Sequence, residues 1–315
     1  MDVLTAATRG GRLAVAQTEI VVSALKKIDP GLAIKIKTIT TKGDRDKQTV
    51  LWNLKTSGFF TTQVENALLA GEADFAVHSF KDLPTSRREG LSITAVCERR
   101  FAADCLLAAG EVSSIEQLRH GAKIGTSSLR RAVQLRRLRA DLKPMPIRGN
   151  VQTRLKKLDA GEFDAVVLAR AGIERLGLAN RISVSFDPAE FIPAPAQGAL
   201  AVQTRSDDAA TSKLIAAIEE KQARLISLAE RQVLVTTQCG CHAPVGSFAR
   251  IVGEDIVIDA FVSDLQGENF IRRRVTGPIE KANQLAEKLA EELLQAGGNR
   301  ILESLENNGI GDSSG

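Results

Sequence analysis

The sequence predicts an α/β fold of two similar units, followed by a small α+β domain. Short apolar segments that suit buried strands alternate with amphipathic helical patterns in the first part of the chain. This alternation begins again near residue 123, and it gives way to a different pattern from residue 221. A chain of 315 residues is long enough for two or three domains.

The first unit has the pattern of a βαβ arrangement with a mostly parallel sheet. Residues 34–37 alternate apolar and charged side chains as a half-buried strand does. Residues 62–69 suit a helix, and residues 75–77 suit a short buried strand. The helix that precedes these segments has its apolar side chains roughly on one face, namely Leu13, Ile20, Val21, Ala24, Leu25 and Ile28.

A second unit repeats this arrangement. Residues 123–125 end a strand, residues 132–138 suit a helix, and residues 165–168 form another buried apolar strand. Prolines then interrupt residues 192–196, which we interpret as a linker. The strand pattern at 198–202 follows this linker and could return to the sheet of the first unit.

The remaining chain has the pattern of a small α+β domain. A helix containing Leu225, Leu228 and Val233 precedes an alternating strand at residues 256–260, and a further strand starts at residue 270. The final amphipathic helix has an apolar face of Ile279, Ala282, Leu285, Ala286, Leu289 and Leu293.

These patterns define the predicted domain boundaries. Domain 1 is expected at residues 1–98 and 199–217, domain 2 at residues 104–192, and domain 3 at residues 221–315. The tail at 307–315 is rich in Gly, Ser and Asn, and we expect it to be disordered.

We expect a cytoplasmic protein, and no large exposed apolar pattern argues against a monomer. Hydrophobic residues make up 43% of the chain and charged residues 25%, which is ordinary for a globular protein. No run of about 18 apolar residues suits a membrane span, and the N-terminus lacks the pattern of a signal peptide. In a reducing compartment the four cysteines are not expected to form structural disulfides.

Positive charge is concentrated in one stretch. Residues 119–157 contain twelve Lys and Arg residues against one acid, Asp141, although the whole chain carries only +4. This pattern suits either a nucleic-acid surface or a site for an anionic small molecule. Aromatic residues are 4% of the chain and Tyr is absent, which argues against stacking on single-stranded nucleic acid.

Two segments within this stretch suit anion binding. Residues 126–128 are Thr-Ser-Ser between a strand and a helix, where hydroxyl groups cap the helix and its first N–H groups attract anions. Arg130 and Arg131 in the first turn oppose the helix dipole, which favours a ligand role over an ordinary N-cap. Arg148 and Arg154 lie near a glycine that allows backbone and guanidinium groups to approach one ligand.

The segment 78–84 follows a predicted strand, where ligands bind in open α/β sheets. Lys81 and Asp82 form a plausible catalytic pair there, and Asp82 could hold an N–H-bearing substrate and transfer a proton. The alternative is a local ion pair that caps a turn. Arg9 lies ahead of the first helix. From the first domain, it could bind the same kind of anion as Arg148 and Arg154 of the second domain.

The loop at 239–246 is bounded by glycine and proline and can expose a thiol. His242 is placed to lower the pKa of the Cys241 thiol. The alternatives are a buried inert cysteine or a redox pair with Cys239. Because the spacing of these cysteines is not usual for a metal site and only three histidines occur, we predict no metal.

Taken together, these motifs resemble the porphobilinogen deaminase (hydroxymethylbilane synthase) family, and the match covers nearly the whole chain. Each motif is weak by itself, whereas the set in the family's order is specific. The motifs are Ala7-Thr8-Arg9, Thr41-Lys42-Gly43-Asp44, the segment 72–84, the segments 125–131 and 148–154, Pro195-Ala196-Gln197-Gly198, and the segment 241–246.

The resemblance implies two lobes similar to those of periplasmic binding proteins, with the active site between them, and a third domain with a dipyrromethane cofactor on Cys241. It implies a transferase that joins four porphobilinogen molecules head to tail and releases ammonia and then hydroxymethylbilane. Asp82 would assist the loss of ammonia and stabilise the azafulvene cation that results. A non-catalytic two-lobe anion-binding protein is the alternative.

The resemblance also implies hinges at residues 99–103 and 193–198, a lid at 44–60 and a set of ligand-binding residues. Each pyrrole carries two carboxylates, which suits arginine. The implied carboxylate-binding residues are Arg9, Lys81, Thr126, Ser127, Ser128, Arg130, Arg131, Arg148, Arg154 and Arg175, and the supporting residues are Gln17, Ser79, Phe60, Gln197 and Gly198.

Overall fold

The computed structural model describes residues 3–41, 61–86, 88–239 and 243–307. The strands are β1 Leu4–Arg9, β2 Ile34–Ile39, β3 Phe75–Ser79, β4 Leu91–Cys97, β5 Asp104–Ala108, β6 Lys123–Gly125, β7 Lys143–Met145, β8 Ala165–Ala169, β9 Val184–Ser185, β10 Leu200–Arg205, β11 Val245–Val252, β12 Asp255–Ser263 and β13 Phe270–Pro278. The helices are α1 Arg12–Ile28, α2 Thr62–Leu69, α3 Leu129–Leu138, α4 Val151–Asp159, α5 Arg170–Arg175, α6 Ala209–Ala216, α7 Lys221–Thr237, α8 Ala282–Leu293 and α9 Asn299–Asn307.

The chain divides into two compact units. Unit 1 holds the described residues within 1–47, 58–100 and 198–225, and unit 2 holds those within 101–197 and 226–315. Helix α7 begins in unit 1 and continues into unit 2. Unit 2 therefore contains the elements of both the second and the third predicted domains, and the three-domain boundaries stay a prediction.

Unit 1 is built on a five-stranded sheet in the order β2-β1-β3-β10-β4. Strand β1 is parallel to β2 and β3, whereas β10 is antiparallel to β3 and β4. The return of the chain to this sheet after the proline linker is confirmed, and so is a mostly parallel sheet, because β1, β2, β3 and β4 run in one direction and β10 is the reversed strand among the five. Strand β10 starts at the edge where β3 ends, with Leu200 opposite Ser79, and must therefore run the opposite way.

Apolar side chains cover both faces of this sheet. On one face, Val21 and Leu25 of α1 pack in a core with Phe75 and Val202. On the other face, α2 contributes a second core, which consists of Ala7, Val64, Leu68, Ala73, Ala76 and Leu91. Cover on both faces explains why the inner strand β3 is buried along nearly its whole length, whereas the edge strand β2 keeps the alternating pattern.

Unit 2 contains a second five-stranded sheet in the order β7-β6-β8-β5-β9. Strand β6 is parallel to β7 and β8, whereas β5 is antiparallel to β8 and β9. The arrangement matches that of the first sheet: four strands run in one direction, and the strand in the fourth place of the order, β5 here and β10 there, runs against them. Again the core has two faces, one around Leu106, Ile124 and Leu135, and one around Leu107 and Val166.

The C-terminal part of unit 2 is a three-stranded antiparallel sheet, β11-β12-β13, with α8 packed on it. Predicted strands at 256–260 and 270 and the amphipathic helix are confirmed. A shared cluster of Val133, Ile192 and Phe261 joins this sheet to α3. The predicted class, two α/β sheets with a small α+β part, is therefore confirmed.

His78 is buried in the first sheet. Its burial leads us to expect that the free energy of unfolding depends on pH. Burial lowers the pKa of His78 from 6.5 to about 4, against a smaller opposing effect of its hydrogen bond with Gln203. Between these values the unfolded chain binds a proton that the folded chain does not. As pH falls from 6.5 to 4, the free energy of unfolding should therefore drop by up to about 3 kcal/mol from this group.

Urea unfolding of the wild type and of His78→Gln at several pH values measures this contribution. The wild type should lose stability more steeply than the variant between pH 6.5 and pH 4, because Gln does not titrate. Equal pH slopes for the two proteins would show that His78 is not held neutral by the fold.

Candidate active site

In unit 1, a short 3₁₀ turn, Phe80–Asp82, follows β3 and presents Asp82. Phe80 and Leu83 are buried on either side of the polar residues, and the Phe80 N–H donates to the Ala199 carbonyl at 3.0 Å. The Asp82 side chain is exposed, and no Lys or Arg in the described ranges forms an ion pair with it. Apolar anchors therefore hold the turn while the carboxylate stays accessible.

Other predicted residues of unit 1 lie at the same edge of the sheet. Arg9 ends β1 and Ser79 ends β3, and these parallel neighbours end at the same edge. The buried amide of Gln17 donates to the Ser79 hydroxyl at 2.8 Å. Gly198 precedes β10, the strand that starts opposite Ser79, and has a φ of 95°, which glycine tolerates.

In unit 2, two loops meet at the carboxyl edge of the parallel strands β6 and β7. The Thr126 N–H donates to the Met145 carbonyl at 2.8 Å, and the Ser127 hydroxyl accepts from the Ile147 N–H at 3.1 Å. The Ser127 hydroxyl also donates to the Ile147 carbonyl. Each loop leads into a helix, so the N-termini of α3 and α4 lie at one edge of the sheet and both attract anions.

Side-chain caps start both helices. The Ser128 hydroxyl accepts from the Arg131 N–H at 3.4 Å, and the Asn150 amide oxygen accepts from the Thr153 N–H at 2.9 Å. Gly149 has a φ of 105°, and a Cβ at this position would lie 2.6 Å from Thr153. The capping alternative for residues 126–128 is thus realised at Ser128, and it leaves the anion-binding prediction open.

Arg130 and Arg131 converge on an acid that the sequence analysis missed. Both arginines are buried and form ion pairs with Asp104 at 2.7 and 2.8 Å. The amide of Gln197 donates to the same carboxylate at 2.9 Å. Burial alone would raise the pKa of Asp104, but the two guanidinium groups outweigh it and hold the pKa below its usual range.

This cluster changes how the two arginines are interpreted. Arg130 and Arg131 are only 4% and 7% exposed, so Asp104 already satisfies much of their charge. Arg130 also donates to the Ile192 carbonyl at 2.7 Å. Their direct contact with a ligand stays a prediction, and the structure assigns them a role in holding α3 against β5.

Asp104→Asn should therefore destabilise unit 2 strongly. The substitution leaves two buried guanidinium groups without a charged partner, and we expect a loss of about 3–5 kcal/mol in the free energy of unfolding. Urea unfolding measures the loss, with Asp164→Asn as the control, because Asp164 pairs with the exposed Arg119. Similar small losses in both variants would contradict a stabilising role for the Asp104 cluster.

Neighbouring acids reduce the charge of the basic stretch. Arg119 pairs with Asp164 at 2.7 Å, and Arg139 pairs with Asp141 at 2.7 Å. Asp141 is already included in the count along residues 119–157, but Asp164 and Asp104 lie outside that stretch and neutralise further positive charge. The count along the sequence therefore overstates the charge that unit 2 presents to a partner.

The remaining predicted arginines of unit 2 are partly accessible. Arg148 and Arg154 are half-buried on the loop and helix that follow β7, and the Arg154 Nε donates to the Gly149 carbonyl at 2.9 Å. Arg175 is half-buried at the end of α5, which follows the third parallel strand, β8. Lys81 of unit 1 is also half-buried.

The cysteines within the described ranges, Cys97, Cys105 and Cys239, are buried. Burial raises the pKa of the Cys105 thiol to about 12, which makes it unreactive. The Cys239 sulfur lies 2.9 Å from the Thr237 hydroxyl. Cys241, Phe60 and the predicted lid at 44–60 lie outside the described residues.

The described ranges contain neither a cluster of metal-ligating side chains nor a helix suited to span a membrane. In them, no group of three or more His, Cys, Asp or Glu side chains is arranged to hold a metal ion. None of the helices within these ranges combines the length and the apolar character that crossing a membrane requires.

Comparison with known proteins gives matches over nearly the whole chain. Residues 4–213 match the family model described as porphobilinogen deaminase, dipyromethane cofactor binding domain, and residues 225–295 match the porphobilinogen deaminase C-terminal domain. Porphobilinogen deaminase of Desulforudis audaxviator (strain MP104C) is 42% identical over 295 residues, which are 94% of this chain and 95% of that protein.

A second relative and a solved structure extend the comparison. Porphobilinogen deaminase of Syntrophobacter fumaroxidans (strain DSM 10017 / MPOB) is 37% identical over 303 residues, which are 96% of this chain and 98% of that protein. The second substrate binding domain of a putative amino acid ABC transporter from Streptococcus pneumoniae Canada MDR_19A aligns with a TM-score of 0.41 at 13% identity, over 69% of this chain and 91% of that one. On the family models and the two relatives, the chain belongs to the porphobilinogen deaminase family.

Proposed function

We propose that this protein is a transferase that joins four porphobilinogen molecules head to tail, with release of ammonia and then of hydroxymethylbilane. The observation that carries this proposal is the match of residues 4–213 to the cofactor-binding domain of the family. The accessible Asp82 in unit 1 supports it, as does the edge of unit 2 where α3 and α4 begin, which we propose as an anion-binding edge. We place the enzyme in the cytoplasm as a monomer, and a non-catalytic anion-binding protein is not favoured.

The donor groups of unit 2 fit a dipyrromethane, which carries four carboxylates on its two pyrroles. At the edge where α3 and α4 begin, the groups are hydroxyls, helix N–H groups and the guanidinium groups of Arg148 and Arg154. These are donors or cations, and carboxylates bind best to such groups. When bound, the dipyrromethane would supply the nucleophilic pyrrole carbon to which the porphobilinogen units are added.

Cys241 is proposed as the attachment point through a thioether bond. Cys97, Cys105 and Cys239 are buried, and the high pKa of Cys105 disfavours its thiolate. In the sequence, Cys241 lies between the end of α7 at Thr237 and the start of β11 at Val245. These observations support Cys241 over the other three cysteines.

Asp82 is proposed as the catalytic residue. Its carboxylate would accept hydrogen bonds from the pyrrole N–H group of porphobilinogen and stabilise the positive charge that develops as ammonia leaves. The buried Phe80 and Leu83 fix the turn, so the carboxylate keeps its position through repeated additions. Arg9 and Lys81 would bind carboxylates of the substrate, with Gln17 and Ser79 supporting the same edge.

The proposed reaction is tested by supplying porphobilinogen to the purified protein. We expect one ammonia per porphobilinogen consumed and a product with the mass of a hydroxylated linear tetrapyrrole. Consumption without ammonia release, or binding of porphobilinogen without consumption, would contradict the proposed transferase.

A further inference from the structure

A recess of about 530 Å³ lies at the far end of α3 from the anion-binding edge. Its walls are the C-terminal half of α3, residues 190–191, the start of β13 and Ala296. Helix α3 has ten residues and is therefore about 15 Å long, so the recess is separate from the loop at 126–128. The volume falls within the range of sites that bind small molecules.

The recess carries an excess of positive charge. Three arginines line it, Arg137, Arg272 and Arg273, against one acid, Glu190. Arg272 is already engaged, because it pairs with the buried Asp259 at 3.1 Å and with Glu190 at 3.4 Å. Neither of the other two arginines forms an ion pair within the described ranges. Two guanidinium groups thus remain to bind an anion.

Both of these guanidinium groups are held in place. Arg137 lies over the Phe270 ring, 4.3 Å from its centre, and Phe270 stacks on Phe261 at 4.5 Å. The Arg273 Nη1 donates to the Arg272 carbonyl at 2.9 Å. Such contacts reduce the ordering that a ligand would otherwise have to impose on long side chains.

A second, neighbouring recess provides a contrast. It has about 420 Å³ and shares Arg272, Arg273 and Glu190, but it also contains Asp259. Asp259 is buried and pairs with Arg250, Arg272 and Arg274, so it neutralises two of the three arginines that line this recess and leaves Arg273. Only the first recess combines two available cations with apolar walls, which are formed by Leu138, Phe191, Ile271 and Ala296.

We propose that the first recess binds a small dicarboxylate with an apolar body, with one guanidinium group, of Arg137 or Arg273, for each carboxylate. Guanidinium forks match planar carboxylates, and the apolar walls favour a hydrocarbon or ring between them. The wall at Gln134 is preformed, since its amide exchanges two hydrogen bonds with the backbone of Ile192. This site does not depend on the proposed transferase activity, although porphobilinogen is itself a ring with two carboxylates.

The test is calorimetric titration of the full cofactor-loaded protein with isophthalate, a ring with two carboxylates. We expect binding to weaken at least tenfold in Arg137→Gln and in Arg273→Gln. It should be unchanged in Lys213→Gln, which removes one exposed charge on α6, and largely kept in Arg148→Gln, which alters the anion-binding edge. Asp82→Asn protein titrated with porphobilinogen, with and without isophthalate, distinguishes the substrate from other dicarboxylates as the occupant.

Several outcomes would overturn the proposal. These are an absence of binding, binding that survives both arginine substitutions, equal weakening in Lys213→Gln, and inorganic phosphate that binds as tightly through the same two arginines. If porphobilinogen competes with isophthalate in an Arg137-dependent manner, the recess is a second substrate site. If isophthalate binds and porphobilinogen does not compete, the recess is a site for other dicarboxylates. This conclusion holds even if the protein fails to consume porphobilinogen.

Discussion

Asp82→Asn is expected to lose turnover of porphobilinogen by at least about 100-fold, since proton transfer and charge stabilisation by one side chain are each worth that much or more. Asparagine keeps the size of the side chain, but it neither accepts a proton nor carries a negative charge. The fold should be retained, because Asp82 is exposed and Phe80 and Leu83 anchor the turn. Steady-state ammonia release and the urea midpoint of the same preparation measure the two effects separately.

Asp207→Asn is the matched control for this variant. Asp207 is an exposed carboxylate in the turn after β10 of the same unit, and its removal changes the net charge equally. Turnover within twofold of the wild type is expected there. Near-normal turnover in Asp82→Asn, or an equal loss in Asp207→Asn, would remove Asp82 from the proposed reaction.

Cys241→Ser is expected to abolish turnover completely, because a serine hydroxyl does not provide the thiolate that forms the proposed thioether. The loss should not be rescued by longer incubation with porphobilinogen. Product formation at high protein concentration is the appropriate measurement, since it detects small residual activity.

Cys239→Ser is the control for Cys241→Ser. Cys239 is two residues earlier, is buried and lies beside the Thr237 hydroxyl, where a serine can also form a hydrogen bond. Most of the activity should therefore remain. The opposite result, with Cys241→Ser active and Cys239→Ser inactive, would move the attachment point to Cys239.

Most helices and strands were predictable because their apolar periodicity is local. Helix α1 and the helix at Thr62–Leu69 bury one face, and β3 and β8 are short apolar runs between turns. The direction of β10 was not predictable from the same signal. It depends on the edge at which the chain re-enters the sheet, and a strand pattern has no polarity.

The Asp104 cluster shows a second limit of sequence patterns. Arg130, Arg131 and Gln197 lie 26 to 93 residues away along the chain, so no local spacing relates them to this acid. A signal was nevertheless present, because Asp104 is an acid that opens an otherwise apolar strand. A carboxylate in such a position requires a cation, and the arginines expected to bind ligand supply it.

Partners that are distant along the chain also explain why the number of basic residues in the stretch 119–157 overstates its charge. Arg119 pairs with Asp164, which lies 45 residues later and outside the segment that was counted. The positions of Ser127, Ser128 and Arg148 were predictable because a strand, a capping residue and a helix follow one another locally. Which of these groups touch the ligand depends on contacts that sequence spacing does not encode.

Intact-mass spectrometry of the protein purified from cells supplied with porphobilinogen tests the central claim most directly. The wild type and Cys239→Ser should exceed their sequence masses by two covalently linked pyrroles, whereas Cys241→Ser should have its sequence mass alone. A wild-type protein at its sequence mass, or an adduct that persists in Cys241→Ser, would contradict a dipyrromethane carried on Cys241.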